Sequence, residues 1–137
     1  MTVECVGPVP VYAKPGDSGA DLCACERCYI EARSWALVKT GLRIAVPEGY
    51  EAQVRPRSGL ALKYGLTVLN APGTVDSGYR GEIGVIVMNH NERAVIVKQG
   101  ERIAQLVICP VVRAAFVPVE ELPPSERGVG GFGSTGA

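Results

Sequence analysis

Short apolar runs with polar residues at alternate positions, interrupted by glycine and proline, recur along the whole chain. Alternation predicts β-strands, because every second side chain of a strand lies on the same face. One segment, residues 58–65, instead predicts a helical turn that Ser58 caps and Gly65 ends. The predicted strands are DLCAC near residue 23 and residues 35–40, 42–46, 50–56, 66–70, 82–89, 94–98, 102–108 and 111–119.

The segment GTVDSGYRG, residues 73–81, carries two side chains suited to chemistry between the predicted strands at 66–70 and 82–89. Two apolar runs joined by a glycine-rich segment predict a β-hairpin. Asp76 and Tyr79 lie in its turn, where a carboxylate and a ring held by glycines suit a site. The alternative is that Asp76 only bonds the backbone of its own turn. The pattern alone leaves both interpretations open.

Two further segments have polar groups that an anion could contact. Arg57 and Ser58 begin the predicted helical turn, where backbone N–H groups, a hydroxyl and a guanidinium suit a phosphate. The alternative is a surface arginine beside a capping serine. Gln105 shares a predicted strand face with Ile103 and Val107. A buried amide without a partner costs about 1–3 kcal/mol, so we expect Gln105 to bond a structural group or a ligand.

The composition changes at residue 120, where two prolines are followed by a glycine-rich end. Such a segment cannot build a core, so we predict a β domain at 1–119 and a flexible arm at 120–137. Phe132 is either an unpacked residue or one that docks on a flat surface. Glycine-rich ends are usually linkers. The arm's polar groups, which could wrap phosphate oxygens, include Arg127, Ser134 and Thr135.

Length and charge limit the possible functions. The 137 residues suffice for one domain. The 14 basic and 14 acidic residues cancel, which argues against non-specific binding to nucleic acid or a membrane surface. No apolar run reaches the ~18 residues of a membrane span, and MTVECVGPVP lacks a signal-peptide pattern. We therefore expect a cytoplasmic protein with neither nucleic acid nor a membrane as partner. The nine short predicted strands in one domain indicate an all-β fold, a jelly-roll-like sandwich.

Five cysteines and one histidine offer few metal ligands. Cys25 and Cys28 form a CxxC, with Cys23 just before it, but a zinc site usually needs a second ligand pair. An odd cysteine count without a signal peptide indicates reduced thiols rather than disulfides. His90 follows a predicted strand and has no second candidate base near it in sequence, so we assign it no chemistry.

Five motifs follow one another along the chain: SGADL at 18–22, RPRSGLA at 55–61, LNAPGTVDSGYRGEIGVIVMN at 69–89, GERIAQLVI at 100–108 and RGVGGFGSTG at 127–136. Together they make the chain similar, from end to end, to the trimeric dUTPase family, the deoxyuridine 5′-triphosphate nucleotidohydrolases. The resemblance implies hydrolysis of dUTP to dUMP and pyrophosphate by Mg²⁺-assisted in-line attack of water on the α-phosphorus. This reaction keeps uracil out of DNA and supplies dUMP for thymidylate synthesis.

The resemblance gives the hairpin a role in the reaction and in nucleoside binding. Asp76 looks like the base that orients and activates the attacking water. Tyr79 looks like a platform under the deoxyribose that crowds a 2′-hydroxyl, and Asn70 like the partner of uracil's edge. The narrow pocket would exclude the methyl group of thymine. The other implied substrate-binding residues are Gly73, Thr74, Val75, Gly84 and, stacked on uracil, Phe132.

The resemblance also implies a phosphate site, a metal and an assembly. Asp21 matches an acid that holds Mg²⁺ through water. The arm resembles a lid that closes over the active site. In this family three chains form a homotrimer, and each site takes its hairpin, phosphate residues and arm from different subunits. The implied phosphate-binding residues are Arg57, Ser58, Gly59, Gln105, Arg127, Gly133, Ser134 and Thr135.

The chain departs from the family at two positions, and two rival functions need weighing. Gly78 replaces a residue that is acidic in many members, and Gly84 one that is often lysine, so any side-chain contact there is lost. The fold-sharing dCTP deaminases use a glutamate where this chain has Ile86, which cannot transfer protons. The second rival is a binding or regulatory module without catalysis. It is disfavoured because the residues assigned above are intact.

Overall fold

The computed structural model describes residues 1–136, which form eleven β-strands and one short α-helix. This confirms the predicted all-β fold. The elements are β1 (Glu4–Val6), β2 (Ala20–Cys23), β3 (Cys28–Ile30), β4 (Trp35–Lys39), β5 (Arg43–Ala45), β6 (Tyr50–Arg55), α1 (Ser58–Tyr64), β7 (Leu66–Val68), β8 (Gly73–Val75), β9 (Gly84–Asn89), β10 (Val95–Val97) and β11 (Arg102–Pro110).

Two antiparallel sheets share one apolar core. The larger has the strand order β2-β11-β6-β8 and the smaller β4-β9-β7, while β1 pairs with β5 and β10 with β3. Alternation decides which side chains enter the core: Ala52 and Val54 of β6 are buried, and so are Val85 and Val87 of β9. Side chains from both sheets belong to the same buried cluster. The arrangement is the sandwich that short alternating strands predict.

Eight of the predicted strand positions hold a strand, but the ninth prediction is wrong. Residues 111–119 contain no strand, and their apolar side chains are exposed. Alternation in this segment indicates a pleated strand, yet no strand of the same chain pairs with it among the described residues. Three short strands, β1, β3 and β8, were not predicted, and β8 lies in the segment that was interpreted as a turn.

The predicted helical turn is α1, and its end is confirmed. Gly65 has the left-handed backbone of a C-cap, φ +60°, and its N–H bonds the carbonyls of Ala61 and Leu60. The predicted cap at its start is wrong. Arg57, with an extended backbone, occupies the N-cap position and makes no side-chain cap hydrogen bond, while Ser58 is already helical. The hydroxyl of Ser58 is therefore not needed to begin the helix.

The predicted hairpin is more elaborate than a turn. β7 and β9 pair as expected, with Val68 opposite Val87. Between them the chain crosses to the larger sheet, where Gly73 of β8 pairs with Val54 of β6. The tight turn itself is confined to Asp76–Tyr79, in which the Tyr79 N–H donates to the Asp76 carbonyl at 3.1 Å. This crossing brings strand residues of both sheets beside one turn.

The cysteines are free thiols. Burial, and then the nearby charge of Glu26, raises the pKa of Cys28, which keeps that thiol protonated at neutral pH. Within residues 1–136, three or more histidine, cysteine or acidic side chains do not cluster anywhere in a way that could hold a metal ion. In the same range, helix length and hydropathy are insufficient for a membrane span.

Candidate active site

A cavity of about 140 Å³ gathers most of the residues predicted to bind the nucleoside. It opens where β8, the Asp76–Tyr79 turn and the start of β9 meet. Its size suits a single small planar group rather than a large ligand. Its lining consists of Val54, Asn70, Gly73, Thr74, Val75, Tyr79, Glu82, Ile83 and Gly84.

We call this cavity the nucleoside pocket, and Gly73 keeps it open. The register of β8 on β6 places it opposite Val54. A side-chain Cβ at Gly73 would lie 3.3 Å from the Asn70 amide nitrogen and 3.3 Å from the Val54 Cβ. A larger residue would therefore displace one wall of the pocket. The backbone of β8 thus forms that wall itself, with its polar groups available at the edge of the sheet.

Tyr79 also lines the pocket, and its ring is half exposed. Its hydroxyl donates to the Glu82 carbonyl at 2.9 Å. The ring packs against Gly81, where an added Cβ would overlap ring atoms. Both contacts hold the ring in one orientation, so its face is a fixed boundary of the nucleoside pocket.

Asp76 directly follows the buried Val75, and its carboxylate points to solvent. Among residues 1–136 this carboxylate accepts no hydrogen bond, so it does not serve to bond its own turn. It lines a groove of about 710 Å³ together with the side chains of Arg80 and Arg113. Val75 is buried and Asp76 is exposed, so the alternation of β8 continues for one residue beyond the end of the strand. The carboxylate is thus unengaged and beside the nucleoside pocket.

A second cavity, of about 290 Å³, brings the predicted phosphate residues of the domain together with the predicted metal residue. We call it the phosphate cavity. The first turn of α1 contributes backbone N–H groups that have no partner within the helix. Its lining residues are Ala13, Asp17, Ser18, Gly19, Asp21, Arg57, Ser58, Gly59, Arg102 and Gln105.

Asp21 lies between two guanidinium groups in this cavity. Arg57 Nε is 3.6 Å from one carboxylate oxygen, and Arg102 Nη1 is 3.5 Å from the other. The Arg57 side chain also donates to the Arg102 carbonyl at 3.2 Å. The carboxylate therefore orients both arginines toward the cavity. Arg102 was missed as a site residue, although its position within GERIAQLVI, near Gln105, was a usable signal.

Gln105 has the specific partner that its position requires. Its amide nitrogen donates to the Pro56 carbonyl at 3.0 Å. The register of β11 places it between Asp21 of β2 and Arg55 of β6. Gly19 makes room for it, because an added Cβ there would overlap the Gln105 side-chain oxygen. The side chain is half-buried and held at the wall of the phosphate cavity.

The arm residues lie outside both cavities. Phe132 is fully exposed, and the Arg127 Nε donates to Gly130 within the arm at 2.7 Å. The Ser134 N–H likewise donates to the Gly131 carbonyl within the arm. In the described part of the chain, the predicted uracil-stacking and arm phosphate residues, Gly133 and Thr135 included, therefore do not meet the domain's own cavities.

The two family departures have different surroundings. A side chain at Gly78 would meet no atom within 4 Å, so the position could hold an acidic residue without rearrangement. At Gly84 an added Cβ would contact the side chain of Leu37. Leu37 thus occupies space that a residue larger than glycine would need at the edge of the nucleoside pocket.

The donor set of the phosphate cavity suits a magnesium ion that a substrate brings. Mg²⁺ usually keeps several waters and takes one or two carboxylates plus substrate phosphates. The cavity offers Asp21, whose side chain is 19% exposed, and Asp17. Its two carboxylates and two arginines, Arg57 and Arg102, cancel in charge, so a polyphosphate would need a further cation there.

Comparison with known proteins agrees with this geometry. A family model described as dUTPase matches residues 6–136. The deoxyuridine 5′-triphosphate nucleotidohydrolase of Leifsonia xyli subsp. xyli is 59% identical over 129 residues, which are 93% of this chain and 85% of the relative. The enzyme of the same name from Thermobifida fusca is 57% identical over 130 residues, 94% of this chain and 73% of the relative.

Solved structures extend the comparison to the fold. A variant of the Staphylococcus bacteriophage 80alpha dUTPase with dUpNHpp superposes with a TM-score of 0.91 at 28% identity, covering 99% of both chains. A variant of the dUTPase from phage phi11 of S. aureus, described with a structural Mg(II) ion, has a TM-score of 0.82. That chain is 23% identical, over 90% of this chain and 100% of its own, and supports the fold alone.

Proposed function

The chain belongs to the dUTPase family and is a dUTP-hydrolysing enzyme, and we propose that it releases dUMP and pyrophosphate by attack of water on the α-phosphorus. The observation that carries this mechanism is the free carboxylate of Asp76 directly after a strand that walls the nucleoside pocket. A general base must be ionised and within hydrogen-bond reach of the water it activates. The exposed carboxylate of Asp76 has no protein partner among residues 1–136, so it is available to hold such a water.

The nucleoside pocket accounts for the choice of base and sugar in this proposal. Asn70 offers both a donor and an acceptor, which match uracil's mixed edge and mismatch the amine of cytosine. Leaving buried polar groups unpaired is an effective way to reject a ligand. The ring of Tyr79 occupies the space that a 2′-hydroxyl would need. The volume of about 140 Å³ leaves little room for the methyl of thymine.

The phosphate cavity positions the reacting phosphates. Arg57 and Gln105, with the backbone of Ser58 and Gly59, would bind phosphate oxygens. We propose that Asp21 holds Mg²⁺ through water when the nucleotide is bound. The ion would supply positive charge at the phosphate oxygens, which phosphoryl-type transfer requires. Aligning the polyphosphate for in-line attack is then the task of the cavity walls.

Assembly into a homotrimer completes the proposed site. Among residues 1–136 of one chain, the nucleoside pocket and the phosphate cavity share no lining residue, and the arm lines neither. The apolar residues of 111–119 are exposed, although water disfavours such a surface. Neighbouring subunits would cover this segment and bring the arm, with Phe132 and Arg127, over a site on another chain. The arm at 120–137 would then act as a lid.

The proposed cellular role follows from the reaction. Removing dUTP keeps uracil out of DNA, and its product dUMP is the precursor for thymidylate synthesis. Five free thiols are consistent with a reducing cytoplasm, where we place the protein.

One assay tests the reaction and its specificity. The protein is mixed with Mg²⁺ and, separately, dUTP, dCTP, dTTP and UTP, and both pyrophosphate and ammonia are measured. We expect pyrophosphate from dUTP only. Turnover of UTP at a similar rate, ammonia from dCTP, or no turnover at all would overturn the proposal.

A substitution tests the proposed base. Asp76→Asn keeps the size of the side chain and removes its basicity, so we expect dUTP binding to persist while kcat falls at least about 100-fold. Binding is measured by calorimetry with dUMP and turnover by pyrophosphate release. Unchanged turnover would show that Asp76 is not the base.

A further inference from the structure

We propose that a loop outside the nucleotide site, residues 40–43, positions Tyr79 and so sets the preference for deoxyribose over ribose. We call these residues the support loop. The inference rests on the proposed function, because sugar discrimination requires a nucleotide in the nucleoside pocket. The support loop does not line that pocket. Its residues are therefore positioning residues that act through Tyr79.

Thr40 is the centre of the support loop. It is only 2% exposed, and with Asn89 it is one of two buried polar residues in the described part of the chain. Its hydroxyl donates to the Ile83 carbonyl at 2.5 Å and accepts from the Leu42 N–H at 3.1 Å. A buried hydroxyl costs free energy unless it is bonded, and this one uses both its donor and an acceptor. Its position is therefore specific.

Four hydrogen bonds join the support loop to the segment 80–83. Besides the Thr40 bond, the Leu42 carbonyl accepts from the Ile83 N–H at 2.8 Å. The Gly41 N–H donates to the Glu82 carboxylate at 2.8 Å. The Arg43 Nε donates to the Arg80 carbonyl at 2.8 Å. Together these bonds fix the backbone of the return segment on both sides of Glu82.

Glu82 connects the support loop to Tyr79, the residue proposed to lie under the deoxyribose. Its carbonyl is the group that the Tyr79 hydroxyl bonds, at 2.9 Å. Moving the 82–83 backbone therefore moves the anchor of the ring. Tyr79 itself is half exposed, so solvent rather than packed side chains surrounds part of the ring. The position of the ring in the pocket thus depends on the support loop.

Discrimination by steric exclusion is sensitive to such a shift. A wall that yields by a fraction of an ångström admits a hydroxyl that a fixed wall excludes, while the smaller deoxyribose still fits. We therefore expect loosening of the support loop to relax selectivity for the sugar more than it slows the reaction. A purely structural role of Thr40 would instead lower stability and leave the ratio of the two substrates unchanged.

The test compares dUTP with UTP in the full-length protein. Thr40→Val keeps the shape and removes the hydroxyl, and we expect the ratio of kcat/KM for dUTP over UTP to fall about tenfold. The change should lie in KM, with kcat for dUTP within about twofold of wild type. Thr40→Ser restores the hydroxyl and should restore the ratio. Thr67→Val, a half-buried threonine of β7 outside the pocket, is the matched control.

Arg43→Ala provides a second, independent variant. Arg43 is exposed and does not line the nucleoside pocket, so its loss should leave folding and the pocket walls intact while it removes the bond to the Arg80 carbonyl. Direct binding of dUMP and UMP gives the sugar preference without turnover, and we expect this preference to fall in Arg43→Ala. Wild-type protein that binds both equally would overturn the proposed function along with this inference. A wild type that discriminates, combined with an unchanged ratio in Arg43→Ala and in folded Thr40→Val, would overturn the support loop alone.

Discussion

At the scale of single residues, close approaches to glycine decide where the site side chains lie. Gly19 sits against the Gln105 side chain, and Gly81 sits under the Tyr79 ring. In each case an added Cβ would overlap the functional group rather than a neighbouring backbone. Neither glycine has a positive φ, so space and not backbone conformation is the reason for glycine there.

Gly19→Ala is expected to weaken phosphate binding. The new methyl displaces Gln105 from the wall of the phosphate cavity, and loss of about one hydrogen bond, about 1.5 kcal/mol, raises KM for dUTP about tenfold. Steady-state kinetics measure this change. If Gly19 serves only to make room for Gln105, then Gly19→Ala adds nothing in a Gln105→Ala background. Full additivity of the two substitutions would contradict this explanation.

Residue roles were predictable from the sequence only where a motif named them. Asn70, Gly73 and Tyr79 line one cavity, as their shared motif implies. Arg102 was missed although it lies in the motif GERIAQLVI, and Thr40 lies in no motif; the importance of both comes from contacts across the fold, with Asp21 and Ile83. Alternation tells which face a side chain takes, but it does not tell which distant group lies opposite.

At the scale of elements, alternation predicted the longer strands and failed for the segment after them. Strands such as β6 and β9 bury every second residue, which is the pattern that was recognised. The segment 111–119 has a comparable apolar content but is exposed and has no strand partner among residues 1–136. A strand needs a neighbour, and sequence alternation contains no information on which chain supplies one.

The arm is an element whose removal separates folding from function. Its described hydrogen bonds connect arm residues to one another, as Arg127 does with Gly130. Deleting residues 120–137 should therefore change the unfolding free energy by less than about 0.5 kcal/mol, as for other surface changes. Turnover of dUTP should be lost, because water is no longer excluded from the site.

Thermal unfolding without nucleotide and pyrophosphate release measure these two effects. Phe132→Ala in the intact arm is the matched control for the stacking contribution, and it should lower activity less than the deletion does. A truncated protein with wild-type turnover would contradict the role of the arm as a lid. A large loss of stability would instead show that the arm belongs to the folded domain.

At the scale of the whole molecule, the domain presents its site in separate parts. The nucleoside pocket, the phosphate cavity and the arm are each assembled by local contacts, yet among residues 1–136 the two cavities share no lining residue and the arm lines neither. A groove of about 710 Å³ contains Asp76 beside Arg80 and Arg113 and is open to solvent. A closed ring of identical subunits would resolve this separation, because each interface in a cyclic trimer joins two different surfaces.

Mixing two inactive variants tests whether the parts come from different chains. Asp76→Asn has an intact phosphate cavity, and Arg57→Ala has an intact hairpin. If a site joins the hairpin of one subunit to the phosphate cavity of the next, random mixed trimers regain about a quarter of wild-type activity.

The proteins are unfolded, combined in equal amounts, refolded and assayed with dUTP, with each variant refolded alone as the control. If one chain supplied both parts, each site would carry one of the defects and mixing would restore nothing. Size-exclusion chromatography with light scattering gives the mass of the same samples, so a monomer that remains active would contradict the trimer directly.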